Sequence, residues 1–479
     1  MLKLWEHQLK AIEQAKNLNE FALFHEMGAG KTATCIHIMR HKSNERKRLL
    51  RTLIFCPPIV IENWKREWLA HSKVDPKKVI CLYGSGKKRL EIFKELSKEP
   101  HIFITNYESL LMEDLYEAFK AWNPDVVVCD ESQRVRSHDA KRSKLMERLV
   151  NKDPTRRPLV YLLSGSPVLN SPMDLFQQYK ILDGGKTFTN NFFKFRAMYF
   201  RDKNAGMPKQ SYFPNWQPIQ GALEEISKKM SVNSMRVLKK DCMDLPPLVR
   251  QEILVDMTPS QKRMYDSMLK DFVAYFTQDG KEHVATAQLA LTKGMRLMQM
   301  ASGFIKTVDD LEVDIEKEFN PKQQALYELL WDLTPGNKVL VWCVWRKNYE
   351  HIRAVCDKLK VKYLEMNGEQ GSAKNMQSAK DFESDDSVRV MIGHPGSGGV
   401  GVNLVSASYS VFYSRGFSLE HDIQAEARNY RGGSERHEKV TRIDLVTKGT
   451  IEEEVTKRLA SKQNISESLL KEITLNLKA

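Results

Sequence analysis

The amino-acid sequence predicts an α/β protein of two lobes, each a parallel sheet flanked by helices, with a helical insertion between them. Three observations support this fold class. Short apolar runs alternate with polar or amphipathic segments up to residue 185, and the alternation resumes at residue 320. The stretch between them lacks this alternation and begins with aromatic and basic residues. A glycine-rich loop directly follows the first apolar run.

Each predicted strand is a short apolar run bounded by polar or turn residues. In the first lobe the strands are predicted at Phe21–Phe24, Leu53–Cys56, Val79–Leu82, Ile102–Thr105, Val126–Cys129 and Leu159–Leu163. In the second lobe they are predicted at Val339–Val344, Lys362–Met366, Val388–Ile392, Ser410–Tyr413 and Val440–Leu445. Helices are predicted at 260–276 and 283–305. The predicted domains are therefore residues 1–185, 186–318 and 319–479.

The composition favours a polyanionic partner. Lys and Arg number 74 against 61 for Asp and Glu, which gives a net charge of +13. A basic enzyme that binds no polyanion is the alternative interpretation. The seven cysteines show no metal-ligand spacing and indicate a reducing, cytoplasmic compartment. We expect neither secretion nor membrane binding, since no signal-like or spanning segment is present, and we expect a monomer.

The loop His25–Thr32, with the sequence HEMGAGKT, lies between an apolar run and an apolar-periodic segment. A strand, a glycine loop and a helix in this order form a phosphate-binding site. Gly28 and Gly30 let backbone N–H groups curve around an oxyanion. Lys31 is expected to reach the β- and γ-phosphates, and the Thr32 hydroxyl to bind Mg²⁺. The alternative is a chance Gly-Lys-Thr turn.

Two acids follow the strand predicted at 126–129. Asp130 and Glu131 lie at its carboxyl end, where a doubly wound sheet binds its ligand. We expect Asp130 to hold Mg²⁺ through water and Glu131 to polarise the attacking water. Adjacent carboxylates at a strand end are more often a solvated turn. Paired with a phosphate loop, they indicate an ATPase site.

Further short motifs lie in a fixed order along the chain. They are LWEHQ at 4–8, IFCPP at 54–58, TNYE at 105–108, DESQ at 130–133, LSGSPVLN at 163–170, RVLKKD at 236–241, LPP at 245–247, KVLVW at 338–342, GGVGVNL at 398–404 and QAEARNYR at 424–431. This series resembles the Swi/Snf-like group of superfamily-2 DNA translocases over nearly the whole chain. It is most similar to the compact phage or mobile-element members. His25 departs from the family pattern, which has an acid there.

The resemblance implies two RecA-like lobes that bind ATP and Mg²⁺. Gln8 would contact adenine. Arg428 and Arg431 would come from the second lobe to the γ-phosphoryl group, where an arginine finger accelerates hydrolysis by roughly 10³- to 10⁵-fold in known cases. Their i, i+3 spacing predicts that both point from one face of a helix spanning 424–431. A solvated helix face is the alternative for these two residues.

The resemblance also implies roles for residues outside the catalytic group. Nucleotide binding would include Ala29 and Gly401. The DNA backbone would be contacted by Lys65, Thr105, Asn106, Tyr107 and Gly398. Coupling of hydrolysis to movement would involve Gln133, Ser164, Gly165, Ser166 and Gln424. The aromatic and basic stretch Phe192–Arg201 is either a DNA-facing element or, the interpretation we favour, a packed helix.

The function that the sequence predicts is ATP-driven translocation along double-stranded DNA with little sequence preference. Backbone contacts make such binding salt-dependent and sequence-tolerant. Three alternatives remain open. The chain could be a helicase that separates or anneals strands at forks and recombination intermediates, an ATP-dependent clamp that remodels a protein partner, or an inactive binding module.

Overall fold

The computed structural model describes residues 4–153, 155–207, 214–242, 244–278, 292, 294–307, 309, 311–396 and 402–469. The chain folds into two compact units. Residues 1–201 and 216–244 make up most of the first unit, and residues 245–461 make up most of the second. Among the helices within these ranges, none combines the length and apolar character that crossing a bilayer requires.

The first unit is built on a parallel sheet of seven strands in the order β3-β4-β2-β5-β6-β1-β9. Its strands are buried apolar runs, because helices cover the sheet on its faces. The strands in this part of the chain are β1 Glu20–His25, β2 Thr52–Phe55, β3 Val79–Cys81, β4 Ile102–Thr105, β5 Val126–Asp130, β6 Leu159–Leu163, β7 Phe200–Asp202, β8 Trp216–Pro218 and β9 Ser234–Val237; β7 and β8 form a separate pair.

The helices of the first unit alternate with these strands. They are α1 Glu6–Ala15, α2 Lys31–Glu45, α3 Ile61–His71, α4 Gly86–Leu96, α5 Glu113–Trp122, α6 Lys141–Val150, α7 Asp174–Asp183, α8 Phe192–Tyr199, α9 Ala222–Met230 and α10 Lys239–Cys242. A single apolar cluster runs from the sheet to α9, and Phe195 and Tyr199 of α8 belong to it. The favoured interpretation of 192–201 as a packed helix therefore agrees with this burial, although Phe193 is exposed.

The second unit is built on a parallel sheet of six strands in the order β10-β17-β16-β13-β15-β14. The strands are β10 Leu248–Val255, β11 Phe304–Lys306, β12 Glu312–Asp314, β13 Lys338–Trp342, β14 Tyr363–Met366, β15 Val390–Gly393, β16 Ala407–Phe412 and β17 Val440–Thr447; β11 and β12 form an antiparallel pair. Helices in this part of the chain are α11 Pro259–Gln278, α12 Pro321–Leu333, α13 Arg346–Leu359, α14 Gly371–Ser384, α15 Leu419–Glu426 and α16 Ile451–Leu469.

The predicted fold class of two α/β lobes with parallel sheets is confirmed, and each predicted strand is present within a few residues of its predicted ends. The region 186–318 differs from the expected helical insertion. Its β9 is the edge strand of the first sheet, and its β10 is the edge strand of the second. Polar residues interrupt both strands, Arg236 in β9 and residues 250–252 in β10, so neither segment shows the continuous apolar run that marks a central strand. Residues 283–291 of the predicted helix lie outside the described residues.

One buried carboxylate fastens two neighbouring strands of the first sheet. Asp125, just before β5, accepts hydrogen bonds from Arg48 Nη1 at 2.8 Å, Arg48 Nη2 at 2.9 Å and the Arg51 backbone N–H at 2.9 Å. Burial alone would raise the pKa of Asp125, but these hydrogen bonds outweigh it and lower the pKa to about 2. The ionised form is therefore the one that the fold stabilises.

Replacing Asp125 by Asn should destabilise the first unit. At pH 7 we expect a loss of about 2 kcal/mol, because a charged pair becomes a single neutral acceptor. The loss should be constant above the ordinary Asp pKa and shrink as the pH falls through that value towards 2, where the wild type also loses its charge. Urea unfolding of both proteins from pH 7 to pH 3 measures it. Asp153→Asn, in an exposed turn, is the control, and equal stability of Asp125→Asn and wild type at pH 7 would contradict the prediction.

Candidate active site

The loop between β1 and α2 has the backbone of a phosphate-binding loop. Gly28 has a φ of 91° and Gly30 a φ of 73°, both in the left-handed region that favours glycine. Helix α2 begins at Lys31, directly after Gly30, so its free N–H groups point into the loop. The loop therefore has the backbone conformation and the helix N-terminus that anion binding requires, and phosphate binding here stays a prediction.

Helix α1 supports this loop from its outer side. His7 Nε2 lies 2.9 Å from the carbonyl oxygen of Ala29, and Gln8 Nε2 donates to the carbonyl oxygen of Gly30 at 3.2 Å. A Cβ at Gly30 would lie 2.3 Å from Gln8 Nε2, so a larger residue would displace the Gln8 amide and would also strain the left-handed backbone. Gln8, predicted to contact adenine, is thus placed against the loop that is predicted to bind the phosphates.

The Lys31 ammonium lies at the mouth of the loop. Its Nζ donates to the carbonyl oxygen of His25 at 2.9 Å and to that of Glu26 at 3.4 Å. The His25 ring itself is fully buried, and burial lowers the pKa of His25 to about 3. His25 is therefore a neutral, packed side chain, edge-on to the His7 ring at 5.8 Å. A neutral His25 adds no negative charge beside Lys31, where the family pattern has an acid.

Asp130 and Glu131 lie at the carboxyl end of β5, and β6 lies between β5 and β1 in the sheet. Both acids are buried, at 7% and 8% exposure. Burial, together with the neighbouring Glu131 carboxylate, raises the pKa of Asp130 to about 6, against the opposing effects of a Trp64 hydrogen bond and the Lys31 charge. An acid held at this cost to stability is typical of a metal or catalytic site.

A hydrogen-bond chain runs from the acids to the loop after β6. Gln133 Nε2 donates to Glu131 Oε2 at 2.7 Å, and Ser164 Oγ donates to Gln133 Oε1 at 2.7 Å. The Ser166 N–H in turn donates to Ser164 Oγ at 3.0 Å. A Cβ at Gly165 would lie 3.5 Å from the backbone nitrogen of Met27, so this loop also packs on the phosphate loop. Four residues predicted to couple hydrolysis to movement are thus brought together.

Two aromatic side chains that the sequence did not link to Asp130 hold it in place. Trp64 Nε1 donates to Asp130 Oδ2 at 2.8 Å, and the Tyr107 hydroxyl donates to the Asp130 carbonyl oxygen at 2.8 Å. Buried indole and phenol groups need hydrogen-bond partners, which is the signal that could have pointed to these residues. Only the fold shows that the partner is the same acid in both cases.

The loop after β4 is less open than the sequence predicted. Thr105 is fully buried with its Oγ1 2.7 Å from Ser109 Oγ, and Tyr107 is 1% exposed. Asn106 Oδ1 accepts from Arg89 Nη1 at 2.7 Å. The side chains of Thr105 and Tyr107 are therefore turned into the fold, and the DNA contact predicted for this loop stays a prediction. They brace the loop from inside.

The arginine segment of the second unit departs from the predicted helix. Helix α15 ends at Glu426, before the arginines. The Leu404 N–H donates to the carbonyl oxygen of Arg428 at 3.0 Å, and Asn429 Nδ2 donates to the carbonyl oxygen of Ala407 at 3.1 Å. Beyond Glu426 the helical ladder is incomplete: the Tyr430 N–H still donates to the Glu426 carbonyl oxygen at 3.1 Å, but the Arg428 N–H donates to the Ala425 carbonyl oxygen, and the two bonds above hold the segment to the stretch before β16 and to its first residue. The expectation of one continuous helix over 424–431 is wrong for this reason.

Consequently Arg428 and Arg431 do not share a helix face. Arg428 is buried at 1% exposure, whereas Arg431 is partly buried, and burial lowers the pKa of Arg431. Gln424, on the last turn of α15, donates to Glu420 Oε1 at 3.2 Å. Lys65 is half-buried on α3, and Thr32 lies partly exposed in the first turn of α2. The predicted residues Gly398 and Gly401 lie outside the described residues.

Two family models match the chain. The model for the SNF2-related domain matches residues 8–302, and the model for the helicase conserved C-terminal domain matches residues 321–433. The first alone covers more than half of the chain.

Similar proteins include the chromodomain-helicase-DNA-binding protein 1-like of Danio rerio, 24% identical over 95% of this chain and 42% of that protein. The DNA excision repair protein ERCC-6 of Homo sapiens is 25% identical over 93% of this chain and 31% of that protein. The chain therefore spans less than half the length of these relatives. A solved Sulfolobus solfataricus SWI2/SNF2 ATPase core in complex with dsDNA is 21% identical, with 98% of this chain and 93% of that chain covered and a TM-score of 0.42.

The raised pKa of Asp130 predicts that this residue costs stability. The folded state keeps a proton up to about pH 6 that the unfolded chain loses near pH 4, so the ionised carboxylate destabilises the fold at higher pH. We expect Asp130→Asn to be about 1 kcal/mol more stable than wild type at pH 8. Thermal unfolding from pH 8 to pH 5 should show this gain shrinking below pH 6. A variant that is less stable than wild type at pH 8, with Asp139→Asn unchanged as control, would contradict the prediction.

Proposed function

We propose that this chain, which belongs to the SNF2-related family of helicases, is an ATP-driven motor that moves along double-stranded DNA. The observation that carries the proposal is the joint placement of the phosphate loop after β1 and the acid pair after β5, linked through Gln133 and Ser164. Such a link between a phosphate site and a second loop is what a motor needs to convert hydrolysis into movement. An inactive binding module is the least favoured alternative, because every catalytic position is filled in this sequence.

The residues of the first unit fit ATP with Mg²⁺. The two left-handed glycines give the loop an anion-binding backbone. Lys31 Nζ donates to the carbonyl oxygen of His25, and a bound phosphate oxygen would replace this carbonyl as its acceptor. Thr32 and Asp130 are hard oxygen ligands of the type that Mg²⁺ prefers. When bound, Mg²⁺ would neutralise charge that develops on the phosphate oxygens.

The remaining roles follow from the same chemistry. Glu131, with its carboxylate oriented by Gln133, would accept a proton from the attacking water. Arg428 and Arg431 remain the proposed cations for the γ-phosphoryl group. We place DNA binding on backbone phosphates, supported by the net charge of +13. An intracellular site of action is supported by seven free cysteines.

The proposal is tested by steady-state ATP hydrolysis with no nucleic acid, duplex DNA, single-stranded DNA or RNA, each at two salt concentrations. We expect strong stimulation by duplex DNA that weakens with salt, because phosphate contacts release counterions. Lys31→Ala and Arg428→Ala should each abolish this stimulation while the fold stays intact, and exposed Lys73→Ala should retain it. Normal turnover in Lys31→Ala would overturn the assignment. Preference for single strands, with strand release at a labelled fork, would indicate a helicase instead.

The hydrogen-bond chain predicts a variant that hydrolyses ATP without moving. Ser164→Ala removes the donor to Gln133 and the acceptor for the Ser166 N–H. We expect displacement of a triplex-forming strand per ATP hydrolysed to fall about 30-fold, since two hydrogen bonds of about 1 kcal/mol each are lost, while DNA-stimulated hydrolysis stays near wild type. The control is Ser143→Ala, a buried serine of α6. Parallel loss of hydrolysis and displacement would contradict a coupling role.

A further inference from the structure

The last residue of α15 is held by two arginines. Arg250 donates from Nη2 to Glu426 Oε1 at 2.8 Å and from Nε to Glu426 Oε2 at 3.1 Å. Arg442 donates from Nη1 to Glu426 Oε2 at 3.4 Å. The backbone of the same residue is also used, because the Tyr430 N–H donates to the Glu426 carbonyl oxygen at 3.1 Å. Glu426 is therefore the fixed point from which the arginine segment 428–431 begins.

Arg442 forms the rigid half of this arrangement. It is 7% exposed, and its guanidinium lies 3.8 Å from the centre of the Phe412 ring. Its Nη2 donates to Asp422 Oδ2 at 3.1 Å and to Asp444 Oδ1 at 3.0 Å. These bonds join α15 to strand β17 whatever the state of Arg250.

Arg250 forms the adjustable half. It lies on β10, directly opposite Arg442 in the register of the two parallel strands. Like charges in this position repel each other unless carboxylates lie between them, and Glu426 is the carboxylate that both share. The Arg250 side chain is 50% exposed, so the ion pair that it forms is open to water and contributes little to the stability of the fold.

Strand β10 is the first element after residues 244 and 245, one of the points where the chain passes from the first unit to the second. Just before this point, the chain is fastened to the phosphate loop. The Lys239 N–H donates to Glu26 Oε2 at 2.9 Å, and the Glu26 N–H donates to the Val237 carbonyl oxygen at 2.9 Å. The connector from Lys239 to Arg250 thus begins at the phosphate loop in one unit and ends at the arginine segment in the other.

We propose that Arg250 is a positioning residue for the arginine segment, and that it makes the placement of Arg428 and Arg431 depend on the connector. The proposal rests on the proposed ATPase function. The forked guanidinium of Arg250 binds both carboxylate oxygens of Glu426 and so fixes the orientation of this side chain, which a single point charge does not do. Because the pair adds little stability, its loss should affect hydrolysis and leave unfolding nearly unchanged. A misplacement of about 1 Å is enough to cost a large factor in rate.

The test compares Arg250→Ala with a matched control in the full chain. Arg353 and Glu365 form a similar forked pair in the same unit, with distances of 2.6 and 3.1 Å and 40% exposure of the arginine, away from α15. We expect Arg250→Ala to lower kcat for duplex-stimulated hydrolysis about tenfold or more without raising KM for ATP. Arg353→Ala should keep the wild-type kcat, and both variants should show similar small shifts in Tm.

A double-mutant cycle separates positioning from general damage. In a Glu426→Gln background the further change Arg250→Ala should have a much smaller effect on kcat, since the carboxylate that binds the Arg250 fork with both oxygens is already lost. Arg250→Lys, which keeps the charge and loses the fork, should give an intermediate kcat. If the wild type shows duplex-stimulated hydrolysis but Arg250→Ala matches Arg353→Ala in kcat, the inference is overturned. Full additivity with Glu426→Gln would overturn it too. Absence of stimulated hydrolysis in the wild type would instead overturn the proposed function.

Discussion

The buried carboxylate of Asp130 is the constraint on which the site of the first unit depends. Burial next to Glu131 disfavours its charge, so the fold has to hold it with hydrogen bonds. Trp64 of α3 and the Glu131 N–H bind its two oxygens, and Tyr107 binds its carbonyl oxygen. The helix after β2 and the loop after β4 are therefore fastened to the end of β5. Tyr107, which the sequence offered as a DNA contact, is one of the residues that keep this acid in place.

The parallel sheet explains why the predicted motifs meet. All its strands end at one edge, so loops that are distant in the chain become neighbours when their strands are one or two positions apart. The phosphate loop follows β1, the acids follow β5, and the loop at Ser164 follows β6 between them. The chain Glu131–Gln133–Ser164 is short because of this strand order. Coupling between loops is then a matter of direct hydrogen bonds.

In the second unit, buried ion pairs and not hydrogen bonds between neighbouring loops hold the segment that carries the arginines. Arg442 is buried among Asp422, Glu426 and Asp444, where each carboxylate offsets the cost of removing the guanidinium from water. The same carboxylates hold α15 and hence the segment that carries Arg428. Strand β10 contributes Arg250 to the cluster, so an element that the sequence placed in an insertion is part of the arrangement around the arginines.

The sequence by itself determined the elements whose signal is local. The apolar runs located the central strands, and HEMGAGKT and DESQ located the loop and the acids. These signals are local, because the backbone freedom of glycine and the charge of an acid at a strand end depend on a few adjacent residues. The tertiary structure alone decided the edge strands β9 and β10, the end of α15 at Glu426 and the burial of Tyr107. Each of these depends on a partner distant in the chain: β1 and β17 for the edge strands, the segment at 404–407 for the end of α15, and Asp130 for Tyr107. Hydrogen bonds to distant partners override local preference, and no pattern within one segment records them.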